Sequence, residues 1–234
     1  MNQSDFINYV EKLGINLTDT QLNQLETYYE MLIEWNKKMN LTGITDKDQV
    51  YLKHFYDSLT ICNAIDLSKS ETLCDIGSGA GFPGMVLKIV FPNLNITLVD
   101  SLNKRIIFLN EVIKTLKLEK IEALHCRIED YARCNRDKFD IVTARAVTSL
   151  PVLLEYAIPL VKINGYFIPL KSNVEEELLQ SNKALNILNT KLIDEINFNL
   201  PIENSKRTIL KFKKNSDTNK KFPRKYSDIV KKPL

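Results

Sequence analysis

Residues 72–84 read Thr-Leu-Cys-Asp-Ile-Gly-Ser-Gly-Ala-Gly-Phe-Pro-Gly, a short apolar run carrying Asp75 and then a turn with glycine at every second position. Glycine lets a backbone approach a ligand to contact distance and take φ values that other residues avoid. Pro83 suits the first position of a helix, where its missing N–H is no loss. A buried strand, a glycine turn and a helix together form a cradle for a nucleotide cofactor. Two cofactors compete for it. Gly79-x-Gly81-x-x-Gly84 satisfies the dinucleotide fingerprint, with a pyrophosphate on the helix N-terminus. Asp75, two residues before Gly77, would face like charge there. For S-adenosylmethionine (SAM), with its sulfonium and α-ammonium, the same acid is an asset. Asp100 ends the next strand, 23 positions after Gly77, and could accept ribose hydroxyls from either cofactor. A third reading is a glycine turn chosen only for close helix–strand packing.

The other strand ends carry further candidates. His125-Cys126-Arg127-Ile128-Glu129-Asp130 offers a flat apolar residue, an amide N–H and an acid, which suits the face and edge of an adenine; a helix start rich in acids explains the same residues. The fourth strand ends in Arg145, a permanently charged planar fork able to hold a carboxylate, a phosphate or the O6/N7 edge of guanine, or to sit in a surface ion pair. Lys171 ends the fifth strand in a similar way. The fourth strand lacks an Asn/Asp-Pro-Pro-aromatic cradle for an exocyclic amine and a Pro-Cys or Thr-Cys pair for attack on a pyrimidine. His54 and His125 lack metal-ligand spacing, so no metal is expected. No Ser/His/Asp set or paired-carboxylate site stands out.

These groups need a scaffold, and the hydropathy pattern supplies one. Residues 4–13 and 19–39 have the spacing of amphipathic helices, with Thr18 or Asp19 as a cap for the second, and 46–64 is a third helical stretch. From residue 71 strands alternate with helices, which predicts a parallel sheet. Strands are expected near 72–76, 95–99, 121–126, 139–144, 165–170, 190–198 and 206–213, with helices near 83–90, 102–116, 149–158 and 174–186. The last two strands have no helix between them and predict an antiparallel hairpin turning at Pro201. The expected fold is α/β: a Rossmann-like, seven-stranded doubly wound sheet with an N-terminal helical cap. Its divisions are a cap over 1–66, a cofactor-binding domain over 67–214 and a basic tail over 215–234.

Composition is that of a soluble globular chain, 44% hydrophobic and 26% charged over 234 residues. No apolar run approaches a membrane span, because Lys88 interrupts Met85–Phe91, and the N-terminus has no basic or apolar leader pattern. Cys62, Cys74, Cys126 and Cys134 form no C-x-x-C pair and read as reduced core residues of a cytoplasmic protein. The net charge of +3 hides an asymmetry: from Lys206 to Leu234 there are eleven Lys/Arg and two Asp/Glu. With Phe222 and Tyr226 interleaved, this end is expected to face a polyanion such as RNA; a solubilising tail is the plainer alternative. The polar stretch Lys213–Lys221 is expected to be mobile.

Assembled, these residues resemble the RsmG family (also called GidB), bacterial methyltransferases of 16S ribosomal RNA. The likeness runs nearly end to end: Trp35-Asn36 with Asn40-Leu41-Thr42; His54-Phe-Tyr-Asp57-Ser58-Leu59; the Asp75–Gly84 turn with its Gly-Phe-Pro-Gly; Leu98-Val-Asp100-Ser101 with Lys104-Arg105; Ala144-Arg145-Ala146-Val147; and Lys221-Phe-Pro223-Arg224-Lys225. The resemblance implies the class I SAM-dependent methyltransferase fold and methylation of N7 of one guanine in the decoding region of 16S rRNA. It places cofactor contacts at Gly77, Phe82, Ile128, Glu129 and Arg145, to which the residue-level reading adds Asp75, Gly79, Gly81 and Asp100. Arg145 is the candidate catalytic residue, orienting cofactor or guanine. The implied partner is 16S rRNA or a small-subunit particle, met by the Lys206–Lys232 basic residues with Lys37, Lys38, Lys104 and Arg105; no DNA, membrane or metal is implied, and a monomer is expected. Relatives usually read Arg-Ala-Glu where this chain has Arg127-Ile128-Glu129, and often Pro-Gly where it has Tyr226-Ser227. The rival readings are an NAD(P)-dependent oxidoreductase, for which no hydride-transfer partner is evident, and a non-catalytic RNA-binding module.

Overall fold

The structure, a computed structural model, describes residues 1–234. Its strands are β1 (Thr72–Ile76), β2 (Asn95–Asp100), β3 (Ile121–His125), β4 (Phe139–Arg145), β5 (Val161–Lys171), β6 (Thr190–Asn199) and β7 (Lys206–Lys214). They form one sheet in the order β3-β2-β1-β4-β5-β7-β6, parallel from β1 to β5 and antiparallel where β7 meets β5 and β6. The expected seven strands and the closing hairpin are all present. β5 begins earlier than its apolar core suggests, because Val161 pairs with Phe139 of β4 ahead of a register shift between Phe139 and Ile141.

The helices are α1 (Gln3–Lys12), α2 (Asp19–Met39), α3 (Lys47–Val50), α4 (Asp57–Leu59), α5 (Gly84–Val90), α6 (Asn103–Thr115), α7 (Ile128–Cys134), α8 (Leu150–Ala157), α9 (Glu175–Ile187) and α10 (Tyr226–Lys231). α2 starts at a reciprocal cap in which Thr18 Oγ1 accepts from the Gln21 N–H while Gln21 Oε1 accepts from the Thr18 N–H. It stops where Asn40 turns left-handed at φ 50°. The 46–64 stretch is not one helix. Tyr51–Tyr56 between α3 and α4 is π-helical and Thr60–Asn63 is a 3-10 turn. Pro83 is the N-cap of α5 after a cis Phe82–Pro83 bond, one position earlier than expected, and Gly84 takes the first helical place. α10 had no expected counterpart and α7 had only the acid-rich helix start at Ile128–Asp130, each being six or seven residues long with little periodicity to read.

Both faces of the sheet are covered. One core layer joins Phe6, Val10, Leu25, Tyr28, Leu32 and Phe55 from the N-terminal helices to Leu73, Met85, Leu98, Phe108 and Leu109. The other joins Cys74, Ile76, Val142 and Phe167 to residues of α7, α8 and α9 and to Phe222 and Ile229 of the C-terminal segment. No helix is long and apolar enough to cross a membrane. All four cysteines are free, but only Cys74 is buried and Cys134 is exposed, so the expectation of core cysteines holds for one position. The Lys213–Lys221 stretch is more ordered than its polarity implies: Lys213 and Lys214 belong to β7, and Thr218 is buried with its carbonyl accepting from Arg136.

Candidate cofactor and substrate site

Parallel pairing places Asp75, Asp100 and Arg145 near the carboxyl ends of three adjacent strands, with Asp75 level with Leu98 and Thr143. The strand order reverses between β1 and β4, the switch point where open α/β sheets bind ligands. A cavity of about 540 Å³ opens there. Gly77, Ser78, Gly79, Ala80 and Phe82 form one wall, and Arg145 and Ala146 the floor at the end of β4. Leu170 and Lys171 end β5 and Ser172 and Asn173 follow it, and Leu41, Thr42, Lys53, His54 and Asp57 close the cavity from the N-terminal region.

The glycines divide by role. Gly77 and Gly79 stand at φ +70° and +61° and line the cavity; a Cβ on Gly79 would meet nothing nearer than 4.0 Å, while one on Gly77 would press on Val147 Cγ2 at 2.6 Å. Gly81 and Gly84 also make room. A Cβ on Gly81 would lie 2.6 Å from the Tyr28 hydroxyl, and one on Gly84 would lie 2.4 Å from Leu98 and 2.8 Å from Asp75 Oδ2. Gly81, expected among cofactor contacts, makes room for Tyr28 of α2 and Met85 of α5, and of the three glycines in the dinucleotide fingerprint only Gly79 has open space beside it.

Asp75 is fully buried behind the turn. Its Oδ2 accepts from the Gly84 N–H at 2.9 Å, and its Oδ1 is buried with no hydrogen-bond partner. Burial pushes its carboxyl up to about 7, against the opposing pull of the Gly84 N–H and the Arg145 charge. Asp100 accepts from Gly79 N–H and Arg105 Nη1 on Oδ2 and from Leu102 N–H on Oδ1, so it braces the glycine turn. Ile128 and Glu129 begin α7, and Glu129 is buried with Oε1 accepting from Arg127 at 3.2 Å. Asp75, Gly81, Asp100, Ile128 and Glu129 all lie outside the cavity wall. Asp100, Ile128 and Glu129 sit on the β1-β2-β3 side of the switch point, and the cavity spreads over the β1-β4-β5 side.

Arg145 ties the end of β4 to the N-terminal helices and to Phe82. Its Nη1 donates to Asp57 Oδ2 at 3.0 Å and to the Lys53 carbonyl at 3.1 Å, and its guanidinium carbon lies 5.3 Å from the Phe82 ring centroid. Asp57 Oδ1 accepts from Arg207 Nε at 2.9 Å. One buried carboxylate therefore holds two guanidiniums from β4 and β7. The ion pair left open for Arg145 in the sequence exists, but it lies within the cavity wall, not at the surface. His54 stacks on Phe82 at 4.4 Å and meets Thr42 Oγ1 through Nε2 at 2.9 Å. Burial, with the Arg145 charge beside it, drops its pKa to about 3, so the ring is neutral at any working pH. Lys171 lines the cavity too, bound to Glu177 at 2.6 Å and to the Thr148 carbonyl.

Asp57, Lys53 and Arg207 carried no functional signal of their own in the sequence. Asp57 showed only as part of the His54–Leu59 motif and Arg207 only as one of the Lys206–Lys232 cations expected to face RNA, since partners 88 and 150 positions apart meet only through the fold. The basic C-terminal end also needs correction as a uniform RNA surface. Arg207 binds Asp57, Lys211 donates to the Ala64 carbonyl, Lys214 is buried on Asp137, and Arg224 pairs with fully buried Glu155. Lys220, Lys221, Lys225, Lys231 and Lys232 remain exposed. No cluster of three His, Cys, Asp or Glu side chains is placed to hold a metal.

Comparison with known proteins supplies what geometry alone does not. The family model described as GidB, rRNA small subunit methyltransferase G, matches residues 21–204. The chain is 51% identical to the ribosomal RNA small subunit methyltransferase G of Bacillus licheniformis, over 100% of this chain and 99% of that one. The protein of the same name from Bacillus subtilis is 48% identical over the same shares. Among solved structures, a SAM-dependent methyltransferase from Aquifex aeolicus covers 71% of this chain and 93% of its own at TM-score 0.53 and 16% identity. M. jannaschii TYW2, in complex with AdoMet, covers 63% of this chain and 70% of its own at TM-score 0.53 and 17% identity. At that identity the two structures speak for the fold, the class I methyltransferase α/β sheet.

Proposed function

The chain belongs to the GidB family, rRNA small subunit methyltransferase G, and from that premise we propose that it transfers the methyl group of SAM to N7 of a guanine in 16S rRNA. The observation that carries this reading is the convergence of the Gly77–Phe82 turn and Arg145 on one cavity at the switch point, with an unpartnered buried carboxylate oxygen, Asp75 Oδ1, behind the turn. Asp75 is fully buried and outside the cavity wall, so it acts on a ligand through its charge behind the turn, which favours a cationic cofactor over a pyrophosphate. Gly77 and Gly79 would hold the cofactor by backbone, Phe82 and Arg145 by contact at the centre, Asp100 at the ribose and Ile128 with Glu129 at the adenine. When bound, SAM supplies an electrophilic methyl group on a sulfonium.

The remaining chemistry asks little of an acid or base. Guanine N7 is an in-plane lone pair without a proton; as the N–C bond forms, the C–S bond breaks with its electrons on sulfur, and no proton moves. Accordingly, the cavity holds no free base: His54 is a neutral stacked ring and Asp57 is engaged by two arginines. The protein's work is positioning, which is worth several kcal/mol when reacting atoms are held about 3–3.5 Å apart. Five cations line the wall (Lys53, Arg105, Arg145, Lys171 and Arg207), each paired with an acid among Glu203, Asp100, Asp57 and Glu177, and the remaining positive excess favours an RNA strand entering the cavity. Lys37, Lys38 and Lys104 are exposed on the neighbouring ends of α2 and α6 and extend that surface.

Methyl transfer from labelled SAM to small subunits lacking the modification, followed by nuclease mapping, should yield one N7-methylguanosine; no incorporation would end this reading. Two further results are expected. Binding a cofactor ammonium favours ionised Asp75, whose carboxyl otherwise holds its proton up to about pH 7. Calorimetric affinity for SAM should therefore climb as pH rises from 5.5 to 7 and level off above, and Asp75→Asn should flatten the profile. Neutralising exposed Lys220, Lys221 and Lys225 to glutamine should lower the slope of log affinity for a 16S fragment against log salt by about 2. An unchanged slope would remove the C-terminal lysines from the RNA surface.

A further inference from the structure

The C-terminal segment carries charge suited to RNA, yet its arginine points inward. Arg224 donates through Nε and Nη2 to both oxygens of Glu155, a residue of α8 with no solvent exposure, and its own N–H donates to the same carboxylate at 2.8 Å. Phe222 and Ile229 on either side are buried in the core layer that holds α8. The segment is gripped equally from α7. Arg133 donates from Nη2 to the Arg224 carbonyl at 2.7 Å and from Nε to the Pro223 carbonyl at 3.3 Å. Arg136, just beyond α7, donates to the carbonyls of Phe222 and Thr218. At the other end of α7, the Arg127 guanidinium lies over the Tyr226 ring at 4.7 Å while also donating to Glu129.

Three arginines in and flanking a seven-residue helix thus hold one strand of backbone and one aromatic ring. A helix this short has little stability of its own and takes its place from what packs on it. Its first two residues are Ile128 and Glu129.

We propose that residues 218–229 form a strap that fixes α7 against the sheet, making Arg224 and Tyr226 positioning residues for the adenine end of the cofactor site instead of RNA contacts. The proposal rests on the reading that Ile128 and Glu129 meet the adenine. Tyr226 and Ser227 then replace the residues usual in relatives without loss, because an aromatic ring over Arg127 locks the start of α7 as a turn would not.

The test uses the full-length protein with adenosylhomocysteine as probe. Arg224→Ala should weaken its calorimetric affinity about tenfold or more, and Tyr226→Ala about threefold. Both should speed hydrogen exchange of the 128–134 amides, and both should raise KM for SAM while leaving kcat at saturating SAM and the salt slope of RNA binding unchanged. If Arg224→Ala does not fold, Tyr226→Ala, at a half-exposed ring, decides. Wild-type affinity and KM for SAM in the folded strap variants, or a fall in RNA salt slope in their place, overturns the strap. Glu129→Ala separates the two ideas: if it binds the probe normally, the adenine placement fails and the strap proposal with it. If it binds weakly while the strap variants bind normally, the strap alone fails.

Discussion

Alanine at Arg145 is expected to cut kcat/KM for rRNA methylation by about a thousandfold, equivalent to roughly 4 kcal/mol of transition-state stabilisation. The residue sits where the end of β4, the Phe82 ring and the N-terminal helices meet, and its guanidinium spans Asp57 and the Lys53 carbonyl together. Truncation removes a cation from the cavity, frees His54 and Phe82 to shift, and leaves the Asp57 carboxylate with Arg207 alone. Lysine keeps the charge but not the fork, so Arg145→Lys should remain about a hundredfold impaired. The retained Asp57–Arg207 pair keeps the thermal midpoint from collapsing, so a melting curve separates lost chemistry from lost fold. Activity within threefold of wild type in Arg145→Ala would remove it from the catalytic assignment.

The second large effect concerns the turn. Gly81→Ala should destabilise the protein by about 4 kcal/mol, summing left-handed strain of about 1–2 kcal/mol with overpacking of about 1–3 kcal/mol. Its φ is +104°, and its Cβ would press on the Tyr28 hydroxyl, Met85 Cβ at 2.8 Å and Leu109 Cδ2 at 2.9 Å. Tyr28 cannot yield easily: it is fully buried, stacked with Phe55 and Phe108, and donates its hydroxyl hydrogen to the Ala80 carbonyl. Gly79→Ala should cost only about 1 kcal/mol, since φ +61° is strained but the space is open. That same open space is the cavity, so Gly79→Ala should instead loosen adenosylhomocysteine about tenfold. Urea titration and calorimetry on the two variants read these quantities separately. Equal stability losses, or an undisturbed ligand affinity in Gly79→Ala, would contradict the division between packing and cradle.

Parts of this site were legible because they are local. The Asp75–Gly84 turn, the acid ending β2 and the arginine ending β4 can be read from short windows, since strand periodicity marks each carboxyl end. The end of β3 offered Ile128 and Glu129 for an adenine with a helix start as the alternative, and the GidB resemblance chose between the two and added Phe82 as a contact. What failed to show was pairing at a distance. Arg224 looked like one cation among eleven, and nothing beside it hinted that Glu155, 69 positions earlier, would be buried against it. Likewise Tyr28 in α2 gives no local sign of resting its hydroxyl on the glycine turn.

Period, turn chemistry and order of elements, all short-range properties of the chain, were enough to establish the parallel sheet and the cradle after its first strand, while the choice of SAM over a dinucleotide came with the family resemblance. The use of each charge was decided by packing. Asp57 bridges β4 and β7, Arg224 turns inward, and Gly81 serves Tyr28 while Gly79 faces the cavity, because burying a charge or closing on a backbone requires a specific partner at a specific distance. Only the folded chain brings those partners together.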